Sequence, residues 1–430
     1  MSLKKIIVSI FLYFLLFFGY VIYAENTSDI RVSSDGGFYT LIAFVCFNIL
    51  NSYFCILSKK PRFLFFHTML FFWSLALYAN SYKMLRLQIE WPDNVIVYSL
   101  YIVPILAFLS TSLFSNSKEE RGILGVNADK LNSISLLLFF IAILIAIYEM
   151  KVTGIVPILM GNISESRLEY SLPFLHVVSE AFLKLSFFLS MFVLLFHNYK
   201  KSAFFIISGT IMYFLITFSR SGLMEIGVFS IVIIAFKKRN SFFTFSKKKI
   251  FFSLLLVFSF SILGAIRQGD DFNINEYTDS KVDNQVVNWF YGYYFVNIDN
   301  LALSLSEDSI SYDYKRSLLF LSQILGTKPS QTDLNLYTYI GKLNLGTGFR
   351  DFSLDWGIYW GGLVLSILLY IYSLLMNLLK TNLFFLYNSL FITYIMLFPM
   401  VNRFSGFIPF FIFLSIFLFD FFLKRKKYDD

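Results

Sequence analysis

Long apolar runs separated by short polar turns set the pattern of the whole chain. The runs are about 15–25 residues long, close to the length that an α-helix needs to cross the hydrocarbon core of a bilayer. Most charged residues fall in the turns between the runs. The pattern therefore predicts twelve membrane-spanning helices, near residues 6–24, 37–57, 63–80, 95–114, 132–149, 174–196, 203–218, 222–236, 250–266, 354–378, 383–401 and 407–423.

The composition agrees with this interpretation. Of the 430 residues, 57% are hydrophobic and only 15% are charged, whereas soluble domains have about 25% charged residues. We therefore predict an all-α polytopic membrane protein in which residues 1–430 form a single integral membrane domain. The first apolar run follows Lys4 and Lys5 and is too long for the core of a signal peptide, so we interpret it as a retained span.

The lysine-rich turns predict which side of the membrane each end faces. If the N-terminus is cytoplasmic, the inner segments hold 21 of the 36 lysines and arginines, as the positive-inside rule requires. Both termini are then cytoplasmic. Two larger segments face the other side: residues 150–173, between the fifth and sixth spans, and residues 267–353, a large extracytoplasmic loop between the ninth and tenth.

Arginines follow a different distribution from lysines. Eight of them lie on the predicted outer side, against the preference of the positive-inside rule. Arginine presents a planar fork that matches two oxygens of a phosphate group. We predict that several of these arginines hold an anionic group at the outer membrane boundary. For any single one, snorkelling to lipid phosphates or a local ion pair is the alternative. The outer arginines are Arg31, Arg86, Arg167, Arg220, Arg267, Arg316, Arg350 and Arg403.

Ionisable residues within predicted spans are costly and indicate function by default. Glu180 and Lys184 are four residues apart on one helical face, which predicts a mutual ion pair. Glu225 lies five residues after Arg220, and we expect it to hold that arginine in place. The complete set is Glu149, Glu180, Lys184, Glu225 and Asp420.

Patterns typical of metal or nucleotide sites are missing from the sequence. It has no HExxH, CxxC or GxxxxGK[ST] motif. Cys46 and Cys55 lie in one predicted span, where we interpret them as apolar packing. We therefore expect no metal and no cofactor. We also expect no nucleic-acid partner, because the positive residues behind the net charge of +8 are distributed by membrane side. Of the three histidines, His176 lies at the outer start of the sixth span. It could act as an acid or base there, or have a structural role.

The large outer loop contains an aromatic stretch, residues 286–306. Its composition predicts a helix that lies along the membrane interface. We expect its aromatic side chains to anchor it there, with stacking against sugar rings as the alternative. These side chains are Trp289, Tyr291, Tyr293 and Tyr294.

Four short stretches together resemble the bacterial Wzy-type oligosaccharide repeat-unit polymerases, which build O-antigens and capsules. Two are GIVPIL followed by Arg167, in the smaller outer loop, and the tight hairpin TFSRSG with Arg220. The others are GAIRQG with Arg267, which opens the large loop, and NLGTGFRDFSLDWGIYWGG with Arg350, which closes it. The shared layout covers nearly the whole chain.

The resemblance implies a glycosyltransferase in the bacterial plasma membrane. Its substrate would be an oligosaccharide repeat unit linked to undecaprenyl pyrophosphate at the outer leaflet. The enzyme would transfer the growing glycan from its lipid pyrophosphate to the terminal sugar of a fresh lipid-linked unit, without a metal. Membrane lipids, a chain-length regulator and a flippase are the implied partners. An O-antigen ligase and a lipid-linked glycan flippase or transporter are the alternative functions.

The site that this reaction needs matches the outer arginines. Charge develops on the departing pyrophosphate, so preorganised guanidinium groups would favour the transition state. The acceptor hydroxyl needs a base, for which four candidates stay open. The predicted pyrophosphate-binding residues are Arg167, Arg220, Arg267, Arg350 and Arg403, and the predicted catalytic residues are Asp355, His176, Glu169 and Asp351.

Small residues surround the opening of the tenth span. We expect Gly346, Thr347 and Gly348 to let the loop approach the glycan closely. We expect the next set to let the span pack tightly against its neighbours; it consists of Gly357, Gly361 and Gly362.

Overall fold

A computed structural model describes the part of the chain that follows. The described residues are 45–46, 48–53, 56, 64–81, 84, 103–108, 125–160, 169–197, 200–237, 284–299, 301, 314–327 and 347–423. They are predominantly helical and include no β-strand. The predicted spans near 6–24 and 250–266 lie outside them. Those near 37–57 and 95–114 are described only in their helical pieces.

Ten helices are named here in chain order. They are α1 (Leu64–Ser81), α2 (Ala128–Thr153), α3 (Pro173–His197), α4 (Lys200–Ile216), α5 (Arg220–Lys237), α6 (Gln285–Tyr294), α7 (Leu319–Ile324), α8 (Arg350–Leu378), α9 (Leu383–Leu397) and α10 (Phe407–Phe422). All except α6 and α7 coincide with predicted spans to within a few residues. The two exceptions lie in the predicted large outer loop.

Three of these helices are long and apolar enough to cross a membrane: Ala128–Thr153, Phe174–His197 and Arg350–Leu378. Four others are apolar but shorter, namely Leu64–Asn80, Lys201–Ile216, Leu383–Leu397 and Phe407–Phe422. The prediction of a helical membrane protein is therefore supported in its coarse form. The number of twelve spans and the orientation of the termini stay predictions.

Helix α3 lies at the centre of the packing and α2 at its rim. Within the apolar part of each helix, 72% of α3 is buried but only 28% of α2. Apolar side chains such as Leu137 and Leu144 cover the outward face of α2, as expected for a helix that contacts lipid. Aromatic packing dominates the interior, for example between Phe188 of α3 and Phe229 of α5, whose ring centroids are 4.5 Å apart. Burial of large apolar groups of this kind is what holds helices α3, α5 and α9 together.

Helix α8 is broken near its start. Gly357 has φ 74° and ψ 172°, a backbone conformation that side chains other than hydrogen rarely allow. Close to the break, a β-carbon at Gly361 would lie 2.5 Å from the carbonyl oxygen of Phe352, and one at Gly362 would overlap Val103. The tight packing predicted for this span is therefore seen at Gly362, which meets Val103, whereas Gly361 lies against the first turns of its own helix and Gly357 permits the break.

Gly348 approaches another part of the protein closely. Its N–H donates to the carbonyl oxygen of Phe398 at 2.7 Å, and a β-carbon there would overlap the Phe398 ring. Thr347 beside it is buried, and Gly346 lies outside the described residues. Gly348 therefore brings the start of α8 against the end of α9. The approach of this segment to a glycan stays a prediction.

The helix ends form two groups according to their contacts, which we call the charged end and the opposite end. At the opposite end, the Asn127 N–H before α2 donates to Leu423 O at 3.1 Å, and Asn382 before α9 contacts His197 at the end of α3 at 3.2 Å. At the charged end, the end of α2 meets the start of α3. The α4–α5 turn, the start of α8 and the α9–α10 turn lie at the same end, through contacts given below. The charged end corresponds to the predicted outer side.

Candidate functional site

The carboxylate of Glu225 joins three helices and a turn at the charged end. It is completely buried in α5. Its Oε2 lies 2.9 Å from Lys184 Nζ of α3 and 3.5 Å from Arg403 Nε of the α9–α10 turn. Its Oε1 accepts a hydrogen bond from the Tyr394 hydroxyl of α9 at 3.1 Å. A buried carboxylate is tolerated when cations and donors surround it in this way.

Glu180 and Lys184 form the ion pair that their spacing predicts. Lys184 Nζ lies 2.9 Å from Glu180 Oε1, so this lysine bridges two carboxylates. Glu180 also interacts electrostatically with His176 and Arg403. The predicted pairing of Glu225 with Arg220 stays a prediction. The partners described for Glu225 are Lys184, Arg403 and Tyr394, which lie far from it in sequence and carry no signal of this contact.

Arg220 packs against aromatic side chains of helix α6. Its Nη2 donates to the Tyr293 hydroxyl at 3.0 Å, and its guanidinium carbon lies 4.7 Å from the centre of the Tyr293 ring and 5.3 Å from that of Trp289. The TFSRSG hairpin places it there. Helix α4 ends at Ile216 and α5 begins at Arg220, and Phe218 between them adopts a positive φ of 49°. Aromatic faces and a hydroxyl thus hold the guanidinium group in a fixed orientation.

The aromatic residues of α6 contradict their predicted role. We expected them to anchor the loop in the interface or to stack on sugars, but all four are buried within the protein. The hydroxyl groups of two of the tyrosines donate to backbone carbonyl oxygens inside the protein instead. The Tyr291 hydroxyl donates to Ala79 O at 3.1 Å, and the Tyr294 hydroxyl donates to Met396 O at 2.7 Å. Burial raises the pKa of Tyr294 well above its usual value, so this hydroxyl remains protonated and keeps donating.

The start of α8 contributes Arg350 and Asp351. Arg350 is buried and interacts electrostatically with Asp351 and Arg316. Asp351 Oδ2 accepts a hydrogen bond from the Asn402 amide at 3.2 Å. Asn402 directly precedes Arg403, whose partner is Glu225. The α9–α10 turn therefore links the start of α8 to the cluster around Glu225.

Asp355 ties the large outer segment to α8. Its Oδ2 accepts backbone N–H groups of Arg316 at 3.0 Å and Ser317 at 2.7 Å, and its Oδ1 lies 3.5 Å from Arg316 Nη1. The Trp356 indole N–H donates to Ser317 Oγ at 2.9 Å beside it. Arg316 belonged to the outer arginines but not to the predicted site. Because Asp355 is 39 residues further along the chain, local spacing could not show the contact.

A further carboxylate, that of Glu149 at the end of α2, faces His176. The distance from Glu149 Oε2 to His176 Nδ1 is 3.6 Å, and Glu149 Oε1 accepts the Leu172 N–H at 3.0 Å. The Tyr170 hydroxyl lies 3.4 Å from the same His176 nitrogen and 3.3 Å from the Tyr213 hydroxyl of α4. The smaller outer segment therefore contributes to the charged end through Tyr170 and the Leu172 N–H, which contact His176 of α3 and Glu149 of α2.

The remaining predicted site residues fall outside this network or outside the described chain. Glu169 is exposed. Arg167 and Arg267 lie outside the described residues. Within the part of the chain that the structure describes, no group of three or more His, Cys, Asp or Glu side chains could hold a metal ion. The expectation of a metal-free site stays a prediction.

Chemically, the charged end combines cations with carboxylates, most of which are buried. The buried residues are Arg220, Arg350, Lys184, Glu149, Glu225 and Asp355, and the half-buried residues are Arg316, Arg403, Glu180 and Asp351. In a medium of low polarity, such charges interact far more strongly than in water. The cluster can therefore hold guanidinium groups in place before an anion arrives, which is what preorganised binding of charge requires.

Comparisons with family models, with curated proteins and with solved structures found no match to this chain. The described residues define a predominantly helical protein with three helices that are long and apolar enough to span a membrane.

Proposed function

We propose that this protein is a membrane glycosyltransferase that polymerises oligosaccharide repeat units linked to undecaprenyl pyrophosphate. The growing glycan passes from its lipid pyrophosphate to a sugar hydroxyl of the next lipid-linked unit. The resemblance of four sequence stretches to the Wzy-type polymerases suggests this reaction. The structural support is the gathering of Arg220, Arg350 and Arg403 at one end of the helices.

This gathering supports the proposal because the three arginines begin or join different helices. Arg220 begins α5, Arg350 begins α8, and Arg403 lies between α9 and α10. Arg220 contacts Tyr293 and Arg403 contacts Glu225, while Asp351, beside Arg350, accepts a hydrogen bond from Asn402, the neighbour of Arg403. Cations that only snorkel to lipid phosphates would not need to be buried or connected in this way.

In the proposed reaction, the oxygen of the acceptor hydroxyl attacks the anomeric carbon of the donor glycan. The bond from that carbon to the pyrophosphate oxygen breaks, and the pyrophosphate leaves with the electron pair. Guanidinium forks oriented toward the leaving group stabilise the charge that develops on it. Removal of one such preorganised donor typically lowers the rate about 10²–10³-fold.

Single substitutions of Arg220, Arg350 and Arg403 by lysine test the proposal. Each keeps the positive charge but removes the fork. We expect normal amounts of protein and the loss of long chains from a gel of the glycan products. The matched control is Arg121→Lys, in a predicted cytoplasmic segment, which we expect to leave the chain ladder unchanged. Normal ladders from all three site variants would refute the shared anion site.

A second measurement separates polymerase from the alternatives. The purified protein is mixed in detergent micelles with undecaprenyl-pyrophosphate-linked oligosaccharide as the sole glycan. A polymerase lengthens the lipid-linked glycan, whereas a ligase needs a different acceptor. A flippase or transporter forms no glycosidic bond, and micelles offer it no second compartment. Release of undecaprenyl pyrophosphate together with longer glycans is the expected result.

A further inference from the structure

The proposed reaction needs a group that accepts the proton of the acceptor hydroxyl, and the four predicted candidates differ in their surroundings. Asp355 already accepts two backbone N–H groups and faces Arg316. Asp351 accepts from Asn402 beside Arg350. Glu169 is exposed. His176 alone among them has a buried carboxylate behind one ring nitrogen and a partly exposed side chain.

The position of Glu149 is well defined. Its side chain is completely buried. The Leu172 N–H holds Oε1 at 3.0 Å, which turns Oε2 toward His176 Nδ1 at 3.6 Å. Oε2 has no hydrogen-bond partner within the described part of the chain. A small rotation of the imidazole would bring the two atoms into hydrogen-bonding distance, and such contacts are often long before substrate binds.

The aromatic neighbours fit the same arrangement. The Tyr170 and His176 rings are nearly perpendicular, with centroids 5.3 Å apart. The Tyr170 hydroxyl can accept from His176 Nδ1 at 3.4 Å while it donates to the Tyr213 hydroxyl at 3.3 Å. A proton on Nδ1 then satisfies both Glu149 and Tyr170. The other ring nitrogen, Nε2, lies on a different edge of the ring, and 24% of the side chain is exposed.

From this geometry we propose that His176 is the general base and that Glu149 is a positioning residue, which holds the imidazole with its proton on Nδ1. This inference rests on the proposed function and identifies one base among the four candidates. As the acceptor oxygen bonds to the anomeric carbon, its proton moves to His176 Nε2. The glycosidic bond to the pyrophosphate breaks at the same carbon, and water later takes the proton from Nε2.

The charged groups around His176 suit this role. Glu149 of α2 faces Nδ1, and Glu180, one helical turn further along α3, interacts electrostatically with the imidazole. Among the residues that the structure describes, Tyr170 and Tyr213 are further titratable groups packed there. Two nearby carboxylates attract the positive charge that the imidazole acquires when it takes the hydroxyl proton, so they stabilise the transition state of the transfer. Glu180 also interacts with Arg403, so the base and Arg403 belong to one network.

The first test is chemical rescue. His176→Ala should lower kcat for glycan lengthening on the order of 10²–10⁴-fold, the usual contribution of a general base, with little change in KM. Added imidazole should restore part of kcat, because it can occupy the space of the missing ring and accept the proton. His197→Ala, the same substitution at the opposite end, is the matched control and should keep wild-type kcat. A purely structural histidine would show no rescue.

The second test reads the tautomer directly. ¹⁵N spectra of histidine-labelled wild-type protein should show His176 with its proton on Nδ1, with the signal assigned through His67 and His197 variants so that no change at the site is needed. Glu149→Gln keeps the shape but offers an amide N–H to Nδ1. It should therefore move the proton to Nε2, which can then no longer accept one, and should lower kcat on the order of 10²–10⁴-fold. Asp129→Asn, at the other end of α2, is the control for the acid-to-amide change.

The outcomes separate the two proposals. If wild-type protein lengthens the lipid-linked glycan and Arg220→Lys does not, the proposed function stands. A wild-type rate from either His176→Ala or Glu149→Gln would then overturn the base assignment alone, as would a proton on Nε2 in the wild-type spectrum. If wild-type protein lengthens no glycan, the proposed function fails and the base assignment fails with it.

Discussion

The two ends of the helices satisfy buried carboxylates in different ways. At the opposite end, Asp420 accepts the backbone N–H groups of Lys380 and Thr381, each at 2.8 Å. At the charged end, Glu225 is surrounded by the side chains of Lys184, Arg403 and Tyr394. Backbone amides belong to a turn and join two chain segments. Side-chain cations can instead be shared with a ligand.

Asp355 shows that carboxylates at the charged end are stabilised in both ways, by backbone N–H groups as well as by side chains. Like Asp420, it accepts two consecutive backbone N–H groups, those of Arg316 and Ser317. It therefore fastens the large outer segment to α8 in the way that Asp420 fastens α10 to the start of α9. The comparison suggests that the carboxylates at the charged end have two roles. Some, such as Asp355, connect two chain segments, and others, such as Glu225, bind cationic side chains.

The largest expected effect is on the free energy of unfolding and concerns Glu225, whose carboxylate is shared by Lys184 and Arg403. Glu225→Leu removes the partner of Arg403 and one of the two carboxylates of Lys184. The loss of one member of a buried ion pair costs about 3–5 kcal/mol, whereas replacement of both members by apolar residues is often nearly neutral. In detergent unfolding titrations, Glu225→Leu should be strongly destabilised. The double variant Lys184→Met/Glu225→Leu should be closer to wild type.

The stability of the double variant is the more decisive measurement, because the remaining charges of Glu180 and Arg403 balance each other. If the double variant were less stable than Glu225→Leu alone, the view of Glu225 as a holder of cations would be wrong.

A medium effect is expected at the two carboxylates that accept backbone N–H groups. Asp355→Asn and Asp420→Asn should each lower the free energy of unfolding by about 1–2 kcal/mol, because the amide accepts fewer hydrogen bonds and presents a donor to the same N–H groups. Only Asp355→Asn should speed tryptic cleavage at Lys315 and Arg316, since Asp355 holds that segment. Loss of glycan lengthening in Asp355→Asn with an unchanged cleavage rate would instead identify Asp355 as the base.

The smallest expected effect is at Arg220. Tyr293→Phe removes the hydroxyl that Arg220 contacts at 3.0 Å but keeps the ring beneath the guanidinium group. One such hydrogen bond contributes about 0.5–1.5 kcal/mol, so KM for the lipid-linked glycan should rise a few-fold. Tyr291→Phe, whose hydroxyl donates to Ala79 O, is the matched control. An unchanged KM for Tyr293→Phe would show that this contact does not orient Arg220 for substrate.

The helices were predictable because they depend on local pattern. Apolar runs gave the bounds of α3, α9 and α10 to within a few residues, and the four-residue spacing of Glu180 and Lys184 was enough to predict their ion pair. Both features arise from residues that are close in sequence and lie on one helix.

The partners of the buried charges were not predictable in this way. Tyr394 is 169 residues from Glu225, and Arg316 is 39 residues from Asp355. An aromatic stretch of this composition can lie in the membrane interface or pack inside the protein. Only the fold shows that Trp289 and Tyr293 pack around Arg220. Glu149 was recognised as an unusual ionisable residue, but its nearness to His176 requires the α2–α3 packing.

The break at Gly357 also bears on the depth of the bilayer crossing. A continuous helix of 29 residues would measure about 44 Å, much longer than a hydrocarbon core of about 30 Å. The part beyond the glycine, residues 358–378, measures about 31 Å at the same rise per residue. If α8 crosses the bilayer, the break lets the first turns take up the excess length, and Arg350 would then lie at the level of the lipid headgroups without tilting the rest of the helix.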